Sequence, residues 1–298
     1  MATRNRRRFL SEMGRAATYG GLACLQAWGW NPSHSHTPTS KKAFHWPNGK
    51  RAAISLSFDD ARHSQIDVGL DLLDKCAVKA TFCVVPGGVK QRLEGWKRAV
   101  ACGHEIGNHT TNHPCTGNYG FSTRNVLENF TLEMMAKDID DVNVEIQRLL
   151  GVMPQTFAYP CGEMFVGRGR QTESYVPLVA ERFVVGLGQN EDWTTDRYVP
   201  VLNNPGLCDL AQVHRTAFGE LGTMDFDRLV ELASKAVEGG RWLIFLGHEF
   251  GESRKHFTDA SVIQAFCQYI TDPSRGVWVD TVGRIGKYIR EDRAKAER

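Results

Sequence analysis

Ala52-Ala53-Ile54-Ser55-Leu56-Ser57-Phe58 sets an apolar run of strand length directly against two carboxylates, Asp59-Asp60. A short run of this kind, with β-branched and aromatic members and no helical spacing, reads as a buried strand whose polar chemistry is delivered at its carboxyl end. Outward from it, β-rich runs alternate with helical patterns. Asp67 to Lys75 reads as a helix, Ala80 to Val85 as a strand stopped by Pro86-Gly87-Gly88, Trp96 to Ala101 as a short helix and Glu105-Ile106-Gly107 as a third strand. Leu132 to Leu150 is the longest helical pattern, with Met135, Ile139, Val142, Ile146 and Leu149 at three- and four-residue spacing. Further strands are expected at Thr156 to Tyr159, Arg182 to Leu187, Trp242 to Leu246 and Val277 to Val279, with a helix over Ala260 to Ile270. Residues 163 to 215 read as substrate-shaping loops. This βα alternation predicts a parallel barrel or a doubly wound sheet, and in both the ligands gather beyond the carboxyl ends of the strands.

The composition fits one large globular core: 298 residues, 42% hydrophobic and 23% charged. The formal net charge is +2, but the first thirty residues hold five arginines and one acid, which leaves 31 basic and 33 acidic residues elsewhere. A balance of about −2 over that remainder provides no footprint for nucleic acid. Asn5-Arg6-Arg7-Arg8-Phe9-Leu10 followed by the modest apolar run Ala16 to Trp30 resembles a twin-arginine export signal, and the run is too short to span a bilayer. The expected organisation is therefore an export signal over 1–30, a Ser/Thr/Pro/His linker over 31–49 and a single catalytic domain over 50–298. The mature protein is expected to be periplasmic or extracellular, with no transmembrane span. Eight cysteines lie scattered without a C-x-x-C pair, which argues against a structural zinc knot.

Three places carry candidate chemistry. Asp59 and Asp60 leave the first strand with side chains that point opposite ways, so they are expected to have different jobs. His109-Thr110-Thr111-Asn112-His113 follows the third strand; as a helical turn it would set both imidazoles on one side, the donor set of a catalytic divalent metal once a carboxylate joins. His248 ends the apolar run Trp242 to Gly247. His104, before the third strand, reads as structural. All of the candidates fall on one face of one fold.

These residues carry a resemblance. Ser57-Phe58-Asp59-Asp60 resembles the first motif of the polysaccharide deacetylase family, Gly103-His104-Glu105-Ile106-Gly107-Asn108-His109-Thr110-Thr111-Asn112-His113-Pro114 the second, Phe157-Ala158-Tyr159-Pro160-Cys161-Gly162 part of the third, and Ile244-Phe245-Leu246-Gly247-His248 the last. The likeness runs from about Lys50 to Ile289 and implies a distorted (β/α) barrel. It also implies a divalent metal, zinc foremost, held by Asp60, His109 and His113, with Asp59 as general base, His248 as general acid and the Cys161 backbone N–H facing the oxyanion. Tyr159 and Trp193 are candidates for stacking on sugar rings. An Arg that the family usually places two positions before the motif Pro is replaced by Ala158, and Arg62, Arg168 or Arg170 are the expected substitutes. For the family's Asp–Trp pair, Asp192-Trp193 matches in letters and Cys208-Asp209-Leu210 in placement. The implied activity is removal of N-acetyl groups from a glucosamine-containing glycan. The alternatives are O-acetyl ester hydrolysis on a xylan-like glycan, or a non-catalytic, metal-containing glycan-binding protein.

Overall fold

Strand β1 (Ala52–Asp59) is buried along its whole length, and its alternation explains why. Ala52, Ile54, Leu56 and Phe58 point outward into the cluster formed with the surrounding helices, while Ala53, Ser55, Ser57 and Asp59 face the other way, into the barrel. The two serines inside are satisfied: Ser55 Oγ accepts from the Trp242 indole at 3.1 Å and Ser57 donates to the Phe245 carbonyl at 2.6 Å. This computed structural model describes residues 44–190, 202–218, 224–252 and 257–296.

The other barrel strands are β2 (Thr81–Val84), β3 (Glu105–Asn108), β4 (Thr156–Ala158), β5 (Val185–Asn190), β6 (Val213–Ala217), β7 (Trp242–Gly247) and β8 (Val277–Val279). All pair in parallel in the order β8-β1-β2-β3-β4-β5-β6-β7, and β7 returns to β1 through Ala53↔Trp242 to Phe58↔Gly247. Strands β1 to β7 therefore close into a seven-stranded barrel. One edge of β1 is shared, Ala52–Ile54 pairing with β8 and Ser57–Asp59 with β2. The ring is thin between β3 and β4, joined by the pair Asn108↔Phe157. Register shifts between β5 and β6, where Leu187 faces Val213 but Asn190 faces Arg215. These departures make it a distorted (β/α) barrel.

Its amino-terminal mouth is shut by polar contacts. The Glu105 carboxylate accepts from Thr81 and Thr156 at 2.7 and 2.6 Å and from the Gly283 N–H at 2.8 Å, at the start of helix Val282–Ala296. Four orphan amides open every helix, and a carboxylate there also meets the positive end of its dipole. Phe44 and Trp46, in the stretch read as linker, pack edge-on or stacked against Trp278 and Tyr288. The helix over Leu132–Leu150 has the bounds its periodicity predicted, capped by Thr131 and ended by Gly151 at φ 73°.

Two expectations fail here. Arg182 ends a helix, Val176–Arg182, and β5 begins only at Val185; seven residues with a proline in the first turn are too short to show a helical period. Residues 163 to 215, read as loops apart from that strand, also hold this helix and the start of β6. Among the described residues no helix is long and apolar enough to cross a membrane. The expected export signal lies outside the described residues.

Candidate functional site

Asp59, Asp60, His109, His113 and His248 are all delivered at the carboxyl-terminal mouth. The chain leaves β1 through two left-handed residues, Asp60 at φ 79° and Ala61 at φ 54°, a conformation that costs a non-glycine residue about 1–3 kcal/mol and is held only by its surroundings. The turn separates the two carboxylates. Asp59, 2% exposed, points into the barrel. Asp60 turns up toward the mouth, its backbone N–H donating to the Cys83 carbonyl at 3.1 Å. A wide helical turn over Gln65–Gly69 sends the buried Gln65 amide inward, where it donates to the Asp59 and His248 carbonyls at 2.6 and 2.8 Å and ties the ends of β1 and β7 together.

His109 and His113 converge, though not on a helical turn. The segment is a loop with Thr110 at φ 63° and His113 at φ 48°; Asn108 Oδ1 accepts from the Thr110 N–H and Thr110 Oγ1 from the His113 N–H. Side-chain acceptors thus replace the i→i−4 ladder. The two rings stand edge to face, 4.7 Å apart. His109 Nδ1 lies 2.9 Å from the Ala158 carbonyl. A carbonyl only accepts, so the proton belongs on Nδ1 and the lone pair on Nε2.

Nε2 of His109 lies 3.3 Å and Nε2 of His113 lies 3.5 Å from the same Asp60 Oδ1. Yet the His109 Nε2, fully buried, has no hydrogen-bond partner, so the approach is close without the alignment of a bond. The ligand atoms of Asp60, His109 and His113 all lie within 4.8 Å of one another. Two lone pairs and a carboxylate aimed at a common point fit a divalent ion: the His₂–carboxylate donor set suits a catalytic zinc or a related metal and leaves positions open. His248 Nε2 stands 4.0 Å from Asp60 Oδ2, on the far side of the same carboxylate.

The cation on Asp59 comes from a residue the sequence reading missed. Arg215, 1% exposed on β6, donates from Nη1 to Asp59 Oδ2 at 2.8 Å. None of the expected substitutes does this: Arg62 is an exposed partner of Asp60, Arg168 bonds the Glu128 carbonyl and the Asn129 side chain, and Arg170 is exposed. A strand reading of Val213-His214-Arg215-Thr216-Ala217 would have put Arg215 on the inner face with Val213.

Burial would raise the Asp59 carboxyl, but the Arg215 guanidinium, with His109 and His248 behind it, holds it below the ordinary carboxylate value. Burial of Asp60 is likewise outweighed by His109, His248 and His113, and its carboxyl is held far down. His109 moves up against its burial because of Asp59 and Asp60. Burial and the neighbouring His109 push His113 down to about 4. Asp59 and Asp60 therefore stay ionised at the mouth while His113 stays neutral.

Cys161 sits in the turn Pro160–Gly162 with φ 55° and forms a disulfide to Cys115, two residues beyond His113. Tyr159 does not face a ligand. It is fully buried, and its hydroxyl donates to the Ala211 carbonyl at 2.8 Å. Pleat alternation accounts for this: Ala158 lines the barrel, so Tyr159 points out beneath the helices with Phe157 and Tyr175. Trp193, with Asp192, lies outside the described residues. Asp209 accepts from the Ala211 N–H and caps a short turn. His104 is structural, its Nδ1 accepting from the Ala80 N–H at 3.1 Å.

Residues 47–172 match the family model described as polysaccharide deacetylase. The peptidoglycan-N-acetylglucosamine deacetylase PgdA of Listeria monocytogenes is 38% identical over 81 residues, 26% of this chain and 17% of that protein. The peptidoglycan-N-acetylmuramic acid deacetylase PdaA of Bacillus subtilis is 28% identical over 160 residues, 47% of this chain and 57% of that protein. The chain thus spans less than two thirds of either relative. The structure of the peptidoglycan deacetylase PdaC of Bacillus subtilis superposes with a TM-score of 0.51 at 20% identity, over 85% of this chain and 97% of that one, which shows a shared barrel.

Proposed function

On the premise that residues 47–172 belong to the polysaccharide deacetylase family, we propose that this protein hydrolyses N-acetyl groups on a glucosamine-containing glycan outside the cytoplasm. The observation that carries the reading is the convergence of Asp60, His109 and His113 on one point beside a buried, cation-held Asp59.

Asp60, His109 and His113 would hold a divalent metal, zinc foremost. Such an ion supplies Lewis acidity, acidifying a water toward neutrality and polarising the acetyl carbonyl. Asp59 accepts the proton of the attacking water; its buried Oδ1 has no hydrogen-bond partner, while Oδ2 is occupied by Arg215. Arg215 positions that carboxylate and keeps it ionised. The Cys161 N–H would face the developing oxyanion, where one such donor is worth about 10²-fold or more in rate. His248, 4.0 Å from Asp60, would deliver a proton to the leaving amine nitrogen, which cannot depart as an anion. The Cys115–Cys161 disulfide agrees with action in an oxidising compartment, as does the twin-arginine-like start.

The test is acetate release from a chitooligosaccharide and from acetylated xylan by the purified protein, with metal analysis of Asp60→Ala and His109→Ala. Acetate from the first substrate and loss of metal in both variants is the expected result. Acetate from xylan alone would move the reading to ester hydrolysis, and full metal retention in both variants would remove its basis.

A further inference from the structure

The Cys115–Cys161 disulfide lies against the same ring the metal reading uses. His113 Nε2 faces Asp60 at 3.5 Å, while its Nδ1 lies 3.4 Å from Cys115 Sγ. Beside the Asp60–His109–His113 group, His113, Cys115 and Cys161 form a second cluster whose ligand atoms also lie within 4.8 Å of one another. Two clusters share one imidazole.

We infer that reduction of Cys115–Cys161 uncovers a second metal site, made of His113 Nδ1 and the two thiol sulfurs, that competes with the Asp60–His109–His113 set for the single lone pair of His113. The inference rests on the metal reading of that set.

The disulfide itself makes a poor ligand and leaves the first set in possession. Its sulfur carries no proton and can only accept, so the His113 proton belongs on Nδ1 and the lone pair on Nε2, aimed at Asp60. Reduction changes the donors. A dithiol passes two electrons and two protons to the bond: the S–S bond breaks, each sulfur gains a hydrogen, and the reductant closes its own disulfide. A divalent ion then displaces one proton from each thiol. Thiolates with imidazole form a softer set than carboxylate with imidazoles, so thiophilic ions such as Zn²⁺, Cd²⁺ or Co²⁺ are drawn to it. A tetrahedral site needs its sulfurs about 3.8 Å apart, so the two thiols must separate after reduction, with Cys161 in a turn and Cys115 held at a bridge to Val126. A neutral imidazole offers one lone pair, so the two sites cannot both use His113.

Cobalt distinguishes the two sites by their colour, independently of catalysis. Metal-free protein is titrated with Co²⁺ in the disulfide form, after reduction by a dithiol that is then removed, and as the Cys115→Ser/Cys161→Ser double variant. A near-ultraviolet thiolate-to-cobalt band is expected only in the reduced protein, at one ion per chain. The double variant controls for the described free cysteines, Cys76, Cys83, Cys102, Cys208 and Cys267, and Cys161→Ala, keeping one sulfur, gives a weaker band. Circular dichroism confirms that the reduced protein is folded. Equal bands in reduced protein and double variant would overturn the second site; two ions per chain in reduced protein would overturn the competition. If the disulfide form binds no cobalt at all, the metal reading of Asp60, His109 and His113 fails, while the band in the reduced form still decides the thiol site.

Discussion

Replacing Arg215 with methionine removes the guanidinium from a carboxylate that is itself buried. The contact is 2.8 Å with both side chains essentially buried. With charge centres about 4 Å apart and an effective dielectric near 20, their attraction is of the order of 4 kcal/mol. Breaking a buried pair by deleting one partner costs about 3–5 kcal/mol, because the remaining charge is left uncompensated. Unfolding of metal-free Arg215→Met by guanidinium chloride is therefore expected to show that loss at pH 7. The pH dependence identifies the cause. The folded-state pKa of Asp59 is depressed, so its contribution to stability is present above the unfolded carboxylate value and lost as pH falls through the folded one. Wild type carries this contribution and the variant does not, so the gap between them must narrow as pH falls. The acid limb of kcat/KM is expected to move up in pH, because Asp59 ionises less readily without its cation. Asp59→Asn/Arg215→Met should recover part of the stability with no recovery of activity. A gap independent of pH, together with an unmoved acid limb, would refute the proposed action of Arg215 on Asp59.

Other outcomes follow from the same geometry. Asp59→Asn is expected to retain metal but lose about 10²–10⁴-fold in kcat, the span of a general base, whereas Asp60→Ala should lose the metal itself; metal analysis beside acetate release separates the two. His113 is held neutral with a pKa of about 4, below its unfolded value, so it destabilises the metal-free fold as pH falls from about 6.5 toward 4. His113→Gln should flatten that part of the stability profile in chemical unfolding at stepped pH. Tyr159→Phe breaks a buried hydrogen bond to the Ala211 carbonyl and is expected to lower stability by about 1 kcal/mol with KM unchanged; a several-fold rise in KM would restore Tyr159 to the substrate surface.

What could be read in the sequence depended on where a residue sits relative to the barrel wall. β1 and β7 are buried on both faces, so each reads as an unbroken run, and the first polar groups after it, Asp59-Asp60 and His248, stand out by contrast. β6 has no such run. It carries His214, Arg215 and Thr216 in five residues, and a short strand with a charged inward side chain looks like loop, so the sequence gives no sign that the guanidinium absent from position 158 lies across the barrel. Tyr159 misled for the opposite reason. It lies beside functional positions in the chain, but a side-chain period of two turns neighbours to opposite faces of the wall. His109 and His113 converge by another geometry than their spacing suggests: four residues apart imply a helical turn, while Thr110 and His113 bring the rings together through left-handed backbone that no glycine announces. Such backbone persists only when surrounding bonds over-determine it, here Asn108 to the Thr110 N–H, Thr110 to the His113 N–H and the Ala158 carbonyl to the His109 ring. The loop that presents the ligands is therefore pinned from β3 and β4 at the point where those strands share their single backbone pair, which makes the polar bonds at that seam, more than the apolar wall, the support that fixes where the imidazoles meet.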